Sequence, residues 1–155
     1  LNLLSSMHIE YKDVNNWNQY LADYLAQYGA IQQGTQPSFA ELLQNKLNQN
    51  PGWLLQPYPI AIPHLKDDLI QHPLIVITIL DQAITMQNAH NDLFKIKYLI
   101  GLFIPNNDEM AQLVGELSAE LGHHLDHIDD FMKQPEQLKH NLKNSFLKRI
   151  KKQLI

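Results

Sequence analysis

The first third of the chain carries apolar residues every three to four positions, which is the spacing of amphipathic helices. This pattern predicts a first helix between Asp13 and Tyr28, ending before Gly29. A second helix is predicted from the capping-box sequence Ser38-Phe39-Ala40-Glu41 to the stop at Asn50-Pro51-Gly52. We interpret the aromatic residues of the first helix as core packing, and they are Trp17, Tyr20, Tyr24 and Tyr28.

The middle of the chain changes to short, nearly uncharged runs, which are typical of buried strands. We expect strands at residues 58–63, 74–80, 83–86 and 98–104, with a tight connection at Asp81-Gln82. Two amphipathic helices follow, one starting near Met110 and closed by Gly122, the other starting near Pro135. Helices on both sides of a run of four strands predict an α/β or α+β sheet with helices packed on its faces.

The composition is that of a globular protein: 155 residues, 45% hydrophobic and 18% charged, so we expect a single domain over residues 1–155. The net charge of −4 gives no electrostatic basis for binding nucleic acid. The absence of cysteine fits a reducing, cytoplasmic compartment. The longest apolar run, Leu74 to Leu80, is too short to insert into a membrane. The chain begins with Leu1, which is compatible with a fragment of a longer protein.

The first candidate for chemistry is His64, at the end of the segment Tyr58-Pro59-Ile60-Ala61-Ile62-Pro63-His64. Pro63 has no N–H and cannot extend a central strand, so the strand must break there and present His64 at its end. Imidazole titrates near neutral pH and carries a nucleophilic nitrogen. The alternative is a polar residue that closes a turn.

Two other features are given non-catalytic interpretations. His123 and His127 have the spacing of metal ligands on a helix, with His124 and Asp126 beside them, but Gly122 ends the helix before them. We therefore expect a solvated connection and no metal or other cofactor. Six of the twelve basic residues lie between Lys139 and Lys152. That basic face suits the helix dipole or docking of another domain better than direct contact with nucleic acid.

The segment Ile60-Ala61-Ile62-Pro63-His64, followed by the strand ending at Pro105 and by a polar-capped helix, resembles the enzyme IIA domain of the bacterial sugar phosphotransferase system (PTS). The resemblance is to the fructose/mannitol type and covers roughly residues 14 to 145. It implies an α/β fold, an enzyme IIA-like sandwich with a central mixed sheet of about four to five strands flanked by helices. It also implies that His64 takes a phosphoryl group from the phosphohistidine of HPr. The group is then passed to a IIB domain.

In such a site, backbone N–H groups just past the strand, in Leu65 and Lys66, could cradle the phosphoryl group without a metal. Members of the family commonly have a second histidine after the Pro105 strand, where this chain has Met110, and an arginine before the motif. Residues 47–57 contain no arginine.

These two departures favour a regulatory domain, like the IIA-like domains at the C-termini of PTS-regulated transcription regulators or antiterminators. There, phosphorylation is a signal, and the partners are HPr and the other domains of the regulator. A transport enzyme IIA that hands the phosphoryl group to a IIB domain is the alternative. A degenerate domain that only binds proteins is the third hypothesis.

Overall fold

The computed structural model of the chain describes residues 7–106 and 109–153, with side chains up to residue 148. The strands are β1 (Met7–Lys12), β2 (Ile60–Ala61), β3 (His64–Lys66), β4 (Leu74–Gln87) and β5 (Leu93–Ile104). The α-helices are α1 (Trp17–Gln27), α2 (Gln36–Gln49), α3 (Met110–Gly122), α4 (Ile128–Phe131) and α5 (Pro135–Gln153). Short 3-10 turns lie at Pro51–Trp53 and Leu125–His127.

The five strands form one mixed sheet in the order β1-β4-β5-β2, with β3 also paired to β5. β4 and β5 are antiparallel, β1 is parallel to β4, and β2 and β3 are parallel to β5. The register places Met7, Ile75, Leu102 and His64 in one row across the sheet. This architecture confirms the predicted α/β fold with helices around a central mixed sheet.

The sheet has a hydrophobic core on each face because successive strand residues point to opposite sides. On one face Val76 packs in a cluster with residues of α1 and α2. On the other face Ile77 packs in a cluster with residues of α3, α4 and α5. Burial on both faces explains why β4 and β5 carry long runs without charges.

The predicted turn at Asp81-Gln82 is wrong, because β4 continues through it to Gln87. The pairing with β5 shifts register between Ile79 and Ile84, and residues 81–83 are exposed there. The extra residues form an irregularity of the β-bulge kind, so polar residues sit inside one continuous strand. The expected strand at 83–86 is the far end of β4.

The N-terminal prediction needs two corrections. Strand β1 was not predicted, and α2 begins at Gln36 with Thr35 as its N-cap, so Ser38 is not the capping residue. Pro37 lies in the first turn of α2, where its missing N–H costs no helical hydrogen bond. The aromatic stripe of α1 is core packing only in part, since Tyr28 remains 46% exposed.

Among the helices within residues 7–106 and 109–153, none combines the length and the hydrophobicity that crossing a membrane requires.

Candidate functional site

Pro63 interrupts the edge of the sheet beside β5, as its missing N–H predicts. The predicted strand at 58–63 is shorter in the structure, because β2 covers only Ile60–Ala61, and a separate strand, β3, begins at His64. The carbonyl oxygen of Pro63 accepts a hydrogen bond of 2.9 Å from the N–H of Leu102, so the chain stays attached to β5. His64 is therefore the first residue of a new strand rather than the last residue of an old one.

The imidazole of His64 has a defined tautomer. Its Nδ1 lies 2.8 Å from the carbonyl oxygen of Ile62. A carbonyl oxygen only accepts, so Nδ1 carries the proton and Nε2 carries the lone pair. Among the hydrogen bonds of the described residues, none uses Nε2. The structure thus gives His64 one anchored nitrogen and one available nitrogen.

Burial sets the charge of this ring. His64 is half-buried, and burial lowers its pKa below 6.5, while the hydrogen bond to Ile62 acts in the opposite direction. No charged side chain contributes to the shift. The neutral imidazole, which is the nucleophilic form, is favoured at neutral pH.

Trp53 is the site residue that sequence reasoning missed. Its indole lies 5.6 Å from the His64 ring between centroids, at an interplanar angle of 48°. Trp53 is 1% exposed, and its carbonyl oxygen accepts a 2.7 Å hydrogen bond from the N–H of Ile62. The sequence shows only an apolar run, Trp53-Leu54-Leu55, after Pro51-Gly52, and this run does not reveal which residue the indole contacts.

The two backbone groups expected to hold a phosphoryl group point in different directions. The carbonyl of Pro63 and the N–H of Asp67 bond to β5, so by strand alternation Leu65 also turns its backbone toward β5. The N–H of Lys66 turns toward the open edge, and the Lys66 side chain is exposed. Of the two N–H groups, only that of Lys66 therefore lies on the side of β3 away from β5.

Met110 lies in the hydrophobic core, 8% exposed, at the first residue of α3. It continues the buried stripe of this helix, which includes Leu113 and Leu117. Helix α3 lies against β3, the strand that carries His64. The position at which the resemblance leads us to expect a second histidine therefore carries an apolar side chain that packs inward.

The histidines after α3 form a separate cluster. The ring of His124 stacks on Phe131, with centroids 3.7 Å apart, and its Nε2 lies 3.2 Å from Glu120. His127 contacts Asp126 at 2.7 Å. Within the described part of the chain, no three histidine, aspartate or glutamate side chains are arranged to hold a metal ion.

Comparison with known proteins places this fold and motif in a family. Residues 2–145 match the family model of the phosphoenolpyruvate-dependent sugar phosphotransferase system, EIIA 2. The chain belongs to this EIIA 2 family. No curated protein matches it significantly.

Solved structures of EIIA domains share the fold at low sequence identity. The nitrogen regulatory protein IIA-Ntr from Neisseria meningitidis is 12% identical with a TM-score of 0.62, over 90% of this chain and 94% of that one. IIA mannitol from Escherichia coli is 17% identical with a TM-score of 0.54, over 74% and 79%. The same enzyme in complex with phosphorylated IIB mannitol is 14% identical with a TM-score of 0.56, over 89% and 96%.

Proposed function

We propose that this EIIA 2 domain accepts a phosphoryl group on Nε2 of His64, with phospho-HPr as the donor. The observation that carries the proposal is the ring itself. Nδ1 is anchored on Ile62, while Nε2 has no partner in the described residues. Burial keeps the ring neutral, which is the form that can attack phosphorus.

The transfer forms one bond and breaks one. The lone pair of Nε2 attacks the phosphorus of the donor phosphohistidine, and the donor's own N–P bond breaks as the new one forms. The proton stays on Nδ1 of His64 and remains hydrogen-bonded to the carbonyl oxygen of Ile62 throughout. Negative charge spreads over the three outer phosphoryl oxygens, so a donor that reaches them lowers the barrier, and the Lys66 N–H is the backbone candidate for that role. No metal or cofactor is needed for this exchange.

We favour a regulatory role over transport, because Met110 and the arginine-free stretch 47–57 leave the site without two groups that assist transfer in the family. A phosphorylated residue that acts as a signal needs no fast onward step. The partners would then be HPr and other domains of a cytoplasmic regulator. Transfer to a IIB domain is the second candidate, since the E. coli mannitol IIA was solved in complex with phosphorylated IIB.

The test is a reconstituted transfer. The protein, treated as a single domain over residues 1–155, is incubated with enzyme I, HPr and labelled phosphoenolpyruvate. We expect acid-labile label on the wild type and on His124→Ala, and none on His64→Ala. His124 is a suitable control because it belongs to the separate histidine cluster.

Failure of the wild type to take label, with HPr itself labelled, would overturn the proposal and leave a protein-binding domain. Addition of a IIB domain separates the two remaining roles. Label that stays on His64 supports the regulatory function, and label that moves to IIB supports transport.

A further inference from the structure

We propose that Trp53 is a positioning residue for His64, which holds the imidazole through its backbone carbonyl and through its indole. The proposal rests on His64 being the phosphoryl acceptor, but the arrangement of the ring can be measured independently of phosphorylation. Residues 47–57 contain no arginine that could orient the site. The proposal assigns this orienting role to the uncharged side chain of Trp53.

The backbone part is a short ladder on the outer side of β2. The N–H of Ile62 donates to the carbonyl of Trp53 at 2.7 Å, and the N–H of Leu55 donates to Ile60 at 3.0 Å. An antiparallel bridge between Leu54 and Ala61 lies between these two bonds. Trp53 thus holds the Ala61–Ile62 peptide. The carbonyl oxygen of the next peptide, Ile62–Pro63, accepts the hydrogen bond from Nδ1 of His64.

The side-chain part is the contact between the two rings. The indole is 5.6 Å from the imidazole, close enough to limit the rotation of the His64 ring about its Cβ–Cγ bond. Trp53 is itself fixed, because it is 1% exposed and packs in the core beneath α1 and α2. A large side chain that cannot move is a firm support for a half-buried neighbour.

The chemical consequence is a nucleophile oriented by hydrogen bonding and packing instead of by charge. An apolar wall disfavours the imidazolium form, in agreement with the lowered pKa of His64. The indole cannot neutralise the negative charge of the phosphoryl oxygens. Backbone N–H groups and the protein that donates the phosphoryl group would have to do so.

The experiment uses Trp53→Leu, which removes the ring, Trp53→Phe, which keeps an aromatic ring, and Trp17→Phe as a control in the same core. Nitrogen NMR of the imidazole reports tautomer and pKa, and the initial rate of labelling by phospho-HPr reports function. Circular dichroism checks that each variant is folded.

For Trp53→Leu we expect a mixed tautomer, a pKa closer to 6.5 and a labelling rate about tenfold lower, which corresponds to about 1.4 kcal/mol. The labelling rate of Trp53→Phe should lie within about threefold of the wild-type rate. The rate of Trp17→Phe should equal the wild-type rate. A single Nδ1–H tautomer and an unchanged rate in folded Trp53→Leu would overturn the inference.

The wild type provides a check that needs no variant. A mixture of tautomers in the wild-type protein would itself contradict the anchoring of Nδ1. If the wild type shows the Nδ1–H tautomer but takes no label, the proposed function fails, while the positioning by Trp53 is still decided by the tautomer and pKa of Trp53→Leu.

Discussion

At His64 the available ring nitrogen is Nε2, because Nδ1 is used by the carbonyl oxygen of Ile62. The proline before it revealed this histidine in the sequence, since a residue without an N–H marks a break in the sheet. The contact with Trp53 was not predictable in the same way. It depends on segment 53–55 folding back along 60–62, and no local pattern fixes that pairing.

A second group of polar side chains is found between β1 and α1. The phenol of Tyr24 donates to Glu10 at 2.7 Å, so the 3.0 Å contact with Nδ1 of His8 must be donated by the histidine. Burial, followed by the hydrogen bond to Glu10, raises the pKa of Tyr24 well above its usual value. The phenol therefore stays protonated and links the two partners.

We expect Tyr24→Phe to lower the free energy of unfolding by about 1–3 kcal/mol, because two partly buried groups lose their partner. Urea unfolding monitored by circular dichroism measures this. Tyr11→Phe is the matched control, since Tyr11 is 59% exposed, and it should change little. Equal effects in the two variants would show that the Tyr24 network does not stabilise the fold.

At the scale of elements, the amphipathic helices and the two apolar strands followed from hydrophobic periodicity. Strand β1 was missed although Met7–Lys12 alternates strictly between apolar and polar residues, the period of a half-buried strand. The polar residues Asp81 and Gln82 predict a turn where β4 has a bulge, because local polarity does not distinguish a turn from an exposed irregularity in a strand. Short strands such as β2 and β3 depend on their partner β5 for their existence.

Strand β5 has a tightly packed glycine next to the residue that pairs with His64. A Cβ added to Gly101 would lie 2.6 Å from Cε2 of Phe103, a fully buried ring in edge-to-face contact with Phe39. Gly101→Ala should therefore destabilise the protein by about 1–3 kcal/mol through overpacking.

Gly115→Ala is the opposite case and the natural control. Gly115 is exposed within α3, and an added Cβ would meet nothing within 4 Å. The substitution should raise stability by about 0.5–1 kcal/mol through helix propensity. Thermal unfolding of both variants decides the prediction, which is wrong if Gly101→Ala melts at or above the wild-type temperature.

For the whole molecule, helices on both sides of an apolar sheet were predictable, because strands without charges need two covered faces. The strand order was not, since β1 pairs with β4 across more than sixty intervening residues and no short-range signal specifies that partner. The layered arrangement also buries histidines from different parts of the chain, which makes stability depend on pH.

Burial is the main cause of a pKa below 6.5 at both His8 and His64. At His8 the carboxylate of Glu10 partly offsets the shift, and Lys139 adds to it. A histidine with a lowered pKa in the folded state binds fewer protons than in the unfolded state. Its stabilising contribution is complete above about pH 6.5 and is lost as the pH falls through the folded value.

We expect the unfolding free energy to fall between pH 7 and pH 5, and to fall less in a His8→Gln, His64→Gln double variant. Urea titrations at several pH values for both proteins give the two slopes. The contributions of carboxylates present in both proteins cancel when one pH profile of the unfolding free energy is subtracted from the other. Parallel pH profiles would mean that neither histidine couples folding to protons.

Met7, Ile75, Leu102 and His64 are paired in one row across the sheet, so a probe on β1 lies at a known distance from His64. Tyr11, exposed and four residues along β1, stands about 20 Å from His64 by strand spacing and rise. The chain has no cysteine, so a thiol introduced at that position would be unique. Under the proposed function, a fluorophore attached there would lie within energy-transfer range of a labelled carrier docked at the histidine.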